Sequence, residues 1–136
     1  MRPIKFRAWD GKKMHFVNED SYLCIFNDPH RVAWRLYKVG PNILICDSQY
    51  DGVLMQFTGL LDKNEKEIYE GDVMKYHKHG ARRPMFTNIR VFWNESAAAF
   101  WITRQDGSPW GHIPLEIVLY EVIGNIYANP ELLERQ

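Results

Sequence analysis

The stretch 73–94 carries the strongest chemical bias in the sequence. It holds Lys75, Lys78, Arg82, Arg83 and Arg90 together with His77 and His79, contains no acidic residue, and spaces Tyr76, Phe86, Phe92 and Trp93 among the cations. Cations neutralise phosphates and aromatic rings stack on bases, so a hairpin of this composition is a candidate nucleic-acid contact. The residues that would carry it are Lys75, Lys78, Arg82, Arg83 and Arg90, with Lys5 and Arg7 as helpers. Against it stands the whole-chain balance of 17 basic and 17 acidic side chains, a formal net charge of zero. Phosphate binding depends on uncompensated positive potential, so neutrality favours a solvated basic tip with its aromatics turned inward.

Other chemistry is thinner. His77 and His79 are two apart, which on an extended segment points both imidazoles to one face, and His112 or Asp72 would have to complete a metal site. Neither Cys-x-x-Cys nor His-x-x-x-His spacing occurs, and no metal or other cofactor is expected. Ser108 follows Gly107 directly instead of taking the centre of a nucleophile elbow, and Pro109 beside it argues for an ordinary loop. Cys24 and Cys46 lie among apolar residues, where a thiol is usually inert. The carboxylates between Asp62 and Asp72 alternate with Lys63 and Lys66, the pattern of a solvated surface. No catalytic residue can be assigned, and the chain is expected not to be an enzyme.

Trp93, Phe100, Trp101 and Trp110 fall within a short span, more aromatic bulk than one small core needs. Phe100, Trp101 and Trp110 are therefore a candidate protein-contact patch, either for self-association into a homo-oligomer or for another protein.

The elements that must position these groups are short strands. Ile4-Lys5-Phe6-Arg7-Ala8-Trp9 alternates with period two, Asp10-Gly11 is a turn signal, and Met14–Val17 resumes the extended pattern, which predicts a hairpin with half-buried strands. Asp28-Pro29 would start a helix well, with Val32, Ala33, Leu36 and Tyr37 on one face. Trp34–Val39 also alternates, and we favour a strand after Ala33. Further strands are expected at Ile43–Cys46, Leu54–Thr58, Glu67–Tyr69, Val73–Tyr76, Asn88–Trp93, Phe100–Thr103 and Glu121–Tyr127. Gly71 supplies the positive φ of a tight reversal before Asp72. Asn129-Pro130-Glu131 predicts a terminal helical turn capped by Asn129. Frequent turns between such strands point to a small barrel.

Length and composition agree. A chain of 136 residues, 46% hydrophobic and 14% aromatic, can bury a core without staples, and its two cysteines make no disulfide framework. The opening Met1-Arg2-Pro3-Ile4-Lys5 lacks the apolar run of a signal peptide, and no stretch approaches a membrane span. A cytoplasmic location in a reducing compartment, away from membranes, is expected.

Three stretches in order complete the picture: Ile4–Asp10; Gln56-Phe57-Thr58-Gly59-Leu60 through Ile68-Tyr69-Glu70-Gly71-Asp72-Val73; and Tyr120–Tyr127 through Asn129-Pro130-Glu131-Leu132-Leu133. Together they resemble the YopX family of phage and prophage proteins across essentially the whole chain. The resemblance implies a mostly β fold: an N-terminal β-rich subdomain over 1–60, an SH3-like small barrel over 61–136, and a short C-terminal helical turn. It implies a phage or prophage protein with no assigned activity and no catalytic residues to carry over; with the residues read above, we expect an accessory protein in the bacterial host cell that acts by binding a phage or host protein or itself. Where the family pattern has Asn-Gly, this sequence has Asn64-Glu65, which puts a two-residue hairpin turn there in doubt.

Overall fold

The computed structural model describes residues 3–28, 31–49, 51–76, 88–104, 106–114, 117 and 119–134. The fold is mostly β, with every strand pairing antiparallel. The chain forms two compact units, Ile4–Gln56 and the segment from Phe57 onward.

The first unit contains β1 (Phe6–Trp9), β2 (Met14–Phe16), β3 (Ser21–Asp28), β4 (Arg31–Lys38), β5 (Leu44–Asp47) and the start of β6 (Val53–Leu61). The Asp10-Gly11 turn forms as the sequence predicts: the Asp10 carboxylate accepts the backbone N–H groups of Lys12 and Lys13 at 2.7 and 2.8 Å. β1 pairs with β2 on one edge and with the first half of β6 on the other. Its two faces are both covered, Ala8 at 0% exposure and Arg7 at 5%, so the strand is not half-buried as its alternation suggests. The core of this unit is Ala8, Trp34, Leu36 and Cys46, with Val17, Leu23, Ile45 and Leu54 packed against it.

β3, β4 and β5 make a three-stranded sheet in that order. The helix weighed for Asp28 onward does not form: Arg31–Lys38 is a strand whose register with β3 runs unbroken from Ser21↔Lys38 to Asp28↔Arg31. Cross-strand pairing satisfies more backbone groups than an isolated helical turn would, and it buries Trp34 and Leu36. Pro29 itself lies outside the described residues. Gly52 makes the close approach between the sheet and the entry to β6. A Cβ there would stand 2.0 Å from the Asp47 carbonyl oxygen and 3.0 Å from the Trp34 ring.

The second unit continues with the end of β6, then β7 (Glu67–Tyr69), β8 (Asp72–Tyr76), β9 (Asn88–Asn94), β10 (Ala99–Thr103), β11 (Pro109–His112), β12 (Tyr120–Asn125) and a 3-10 turn, Pro130–Leu133. Its five-stranded sheet has the order β11-β10-β9-β8-β12. Ile68, Met74, Ile89, Val91, Ile102, Ile117, Tyr120 and Val122 fill one core. β11 includes Pro109, read from sequence as loop; an edge strand tolerates proline because one side of it has no ladder to donate to.

Two carboxylates organise this unit. Asp62, 5% exposed, accepts the N–H groups of Asn64 and Lys66 on one oxygen and of Val122 on the other, at 2.8, 2.9 and 2.9 Å. Asp72, 1% exposed, accepts the Tyr69 N–H at 2.8 Å. The expectation of a solvated acidic surface from Asp62 to Asp72 is thus corrected at both ends, because backbone donors recruit these oxygens inward. Between the strands Gly71 turns at φ +83°, its N–H donating to Val91 O at 2.8 Å and its carbonyl accepting from Ile126 at 2.9 Å. The β6–β7 loop is longer than a two-residue turn, since Asp62 N–H reaches Lys66 O at 2.8 Å and Glu65 takes the left-handed φ of +64°.

The terminal turn forms, but Asn129 does not cap it. Its side-chain oxygen accepts the Asn125 N–H at 3.3 Å, while Asn125 Oδ1 accepts those of Tyr127 and Ala128 at 3.0 and 2.8 Å. Asn88 Nδ2 donates to Leu132 O at 2.6 Å, fastening the turn to β9. These bonds give a physical reason for the asparagines of the Gly124–Leu133 motif.

Candidate functional site

Strand alternation sorts the candidate residues of the second unit by face. Val73 and Lys75 of β8, Arg90 and Phe92 of β9, Trp101 and Thr103 of β10, and His112 of β11 share one side of the five-stranded sheet. Met74, Ile89, Val91, Ile102 and Val122 share the other, which is the core. Two of the nucleic-acid candidates, Lys75 and Arg90, therefore lie on one face with aromatic neighbours, the Trp101 and His112 rings 5.0 Å apart. Lys75 stands opposite Glu121 in register, and Asn64 Nδ2 donates to that carboxylate at 3.3 Å, so an acid intrudes on the basic side. Lys78, Arg82 and Arg83, and with them His77 and His79, lie outside the described residues. The helper Arg7 is buried.

On this face Arg90 Nε, Trp101 Nε1 and Thr103 Oγ1 are buried and have no hydrogen-bond partner among the described residues.

The aromatic patch divides. Phe100 faces the core side, in edge-to-face contact with Trp93 at 5.0 Å, whereas Trp101 faces the opposite side. Trp110, 44% exposed on the edge strand β11, carries the Arg104 guanidinium 5.9 Å from its ring centre.

In the first unit the outer face of the three-stranded sheet presents a row that sequence reasoning missed. Tyr22 stacks on Tyr37 at 5.2 Å, and the Arg35 guanidinium lies 5.3 Å over Phe26. Cys24 falls between them, opposite Arg35. A cavity of about 130 Å³ opens beside this row, lined by Phe26, Trp34, Arg35 and Asp47 among others. The missing signal is understandable. Tyr22-Leu23-Cys24-Ile25-Phe26 is continuously apolar, so no alternation marks which side faces out.

A second cavity, about 250 Å³, is lined by Asp10, Lys12, Leu44, Ile45, Cys46 and Asp47. His15 Nε2 donates to Asp10 at 2.7 Å, and that bond, with a backbone donor from Lys13 next in weight, holds the carboxyl at about 2. Burial first, then the nearby Asp10 and Asp47 charges, push the Cys46 thiol up to about 11. A thiol so held stays protonated near neutrality and is a poor nucleophile, as the sequence suggests. Among the described residues no cluster of three His, Cys, Asp or Glu could hold a metal ion. No helix among them is long and apolar enough to cross a membrane.

Two antiparallel β units, the second braced by the buried carboxylates of Asp62 and Asp72, define a small, mostly β protein. The chain matches the YopX protein family over residues 5–134 and belongs to it. It is similar to the crystal structure of protein yopX from Bacillus subtilis, at 25% identity and TM-score 0.65, with 97% of each chain covered. It is also similar to the crystal structure of protein EF1440 from Enterococcus faecalis, at 26% identity and TM-score 0.54, over 98% of this chain and 100% of that one. No curated protein sequence matches it.

Proposed function

We propose that this protein acts by binding another protein, with the Ile4–Gln56 unit supplying the contact surface. The observation that carries the reading is the exposure of Tyr22, Ile25, Phe26, Val39, Ile43 and Leu44, from 36% to 59%, within one short stretch of chain. Apolar area left in water costs about 25 cal/mol per Å², which a partner surface recovers. The family supports a setting as a phage or prophage accessory protein in the bacterial cytoplasm, where the partner is a second copy or a phage or host protein. Sedimentation velocity across a concentration series, alone and with fractionated host lysate, tests it. Concentration-dependent or partner-dependent complexes that weaken on Phe26→Ser or Leu44→Ser support the reading; complexes insensitive to both substitutions overturn it.

A second reading, nucleic-acid binding through the second unit, rests on Lys75 and Arg90 sharing a face with Phe92, Trp101 and His112. A salt titration with labelled single- and double-stranded oligonucleotides tests it: binding that falls steeply with salt and is reduced by Arg90→Ala promotes it, and no binding at low salt retires it.

A further inference from the structure

One edge of β3, unpaired among the described residues, carries a pattern that names its partner. On the other side, the backbone shows which groups are used. Trp34 N–H donates to Ser48 Oγ and Trp34 O accepts from Ser48 N–H, each at 3.1 Å, and Lys38 N–H donates to Ile43 O at 2.8 Å. Trp34 and Lys38 thus turn their backbone groups toward β5, as does Leu36 between them by alternation. Val39 N–H, in the opposite phase, donates to Asp20 O at 2.9 Å. The register partners of Trp34 and Leu36 on β3 are Ile25 and Leu23. In an antiparallel ladder those are non-hydrogen-bonded pairs, so the N–H and C=O groups of Leu23 and Ile25 point away from β4. No strand among the described residues pairs with that edge.

Exposed edges are usually guarded by lysine, proline or a bulge. Here Ser21–Asn27 contains no charged residue and no proline, and the β3–β4 register is unbroken. Ile25 is 58% exposed and Phe26 43%. The strand also reads alike in both directions about Cys24: aliphatic Leu23 and Ile25 flank it, and aromatic Tyr22 and Phe26 flank those.

We infer that β3 pairs antiparallel with β3 of a second copy of this chain, on a two-fold axis through Cys24, joining two three-stranded sheets into one of six. This rests on the protein-association reading and specifies its partner and its edge. In this register Leu23 and Ile25 of opposite copies exchange hydrogen bonds, Tyr22 meets Phe26, and Cys24 meets Cys24 in a non-hydrogen-bonded pair with Cα atoms about 4.5 Å apart. The uncharged stretch brings no like charges together at its centre. One strand edge is smaller than a standard interface, so the dimer is weak, with a dissociation constant of about micromolar or above.

The test uses the full chain at concentrations spanning about 1 μM to 500 μM. Hydrogen exchange is expected to show protection of the Leu23 and Ile25 amides that rises with concentration, while the Tyr22 and Cys24 amides, bonded to β4, are protected throughout. Mild oxidation with copper–phenanthroline is expected to trap a dimer linked through Cys24, absent in Cys24→Ser. Ile25→Lys, at an exposed position, is expected to weaken dimerisation at least tenfold with unchanged circular dichroism. A dimer that forms without Cys24 cross-linking and ignores Ile25→Lys overturns the edge pairing while leaving protein association standing. A chain that stays monomeric, with Leu23 and Ile25 unprotected at every concentration, overturns it too. Protection that appears only with a lysate protein identifies a different occupant and likewise overturns the self-pairing.

Discussion

In the unit from Phe57 onward, eight buried apolar side chains close over one another, and Asp62 and Asp72 answer the backbone donors around them. The Ile4–Gln56 unit buries a smaller set, Ala8, Trp34, Leu36 and Cys46, and leaves Tyr22, Ile25, Phe26, Ile43 and Leu44 exposed. The second therefore draws its stability from within, by apolar burial and by buried hydrogen bonds whose loss is costly. The first leaves more of its large apolar side chains in water and, among the described residues, a strand edge that no other strand pairs with; on the proposed reading these supply the contact surface.

Four substitutions or titrations would break or sharpen this contrast. The largest effect is expected for Gly52→Ala, because the new Cβ would stand 2.0 Å from a backbone oxygen that cannot rotate away. A loss of about 3 kcal/mol is expected. Hydrogen exchange should show it concentrated in β3–β5, with β8–β10 still protected; equal loss in both units would mean that they unfold together and that the contrast is not one of stability.

Asp62→Ala would strand three backbone N–H groups and is expected to cost about 2–3 kcal/mol in urea unfolding. Asp62→Asn, which keeps one acceptor oxygen, should lose roughly half as much. A null effect would remove the carboxylate brace from the account of the second unit.

Glu65 lies at φ +64°, a left-handed conformation in which a side chain is disfavoured and glycine is not. Glu65→Gly is expected to stabilise the chain by about 1 kcal/mol, read as a raised thermal midpoint.

The smallest effect is pH-dependent and belongs to the first unit. The Asp10 carboxyl is held at about 2 in the folded chain against an ordinary 3.8. A depressed folded value means that its contribution is complete above about pH 4 and is lost as pH falls toward 2. The pair is partly solvated, so that contribution is at most about 1 kcal/mol. His15→Ala should move the Asp10 carboxyl upward in an NMR titration; an unmoved carboxyl would assign the depression to the Lys12 and Lys13 backbone donors alone.

Much of the frame was legible in the sequence. Alternation marks β9, where Ile89 and Val91 turn to the core between less buried neighbours, and the turns at Asp10-Gly11 and Glu70-Gly71 follow from residues that bond their own backbone or tolerate positive φ. The YopX motifs were visible as strings, although the reason for them was not. The Asn125 and Asn129 amides bond the chain that follows and precedes them, a geometry the helix-capping expectation for Asn129 does not contain.

What the sequence by itself determined is the local periodicity, hence which residues alternate and where the chain reverses. Only the tertiary structure decided the rest: that Asp62 reaches Val122, 60 residues away, that Lys75 and Arg90 share one face, and that β3 lies at the edge of its sheet among the described residues. The physical reason is that burial, facing and edge exposure are properties of which segments pair, and pairing is settled by contacts between residues far apart in the chain. A continuously apolar strand such as β3 shows this most plainly, because its own pattern is silent about which side, and which edge, will face water.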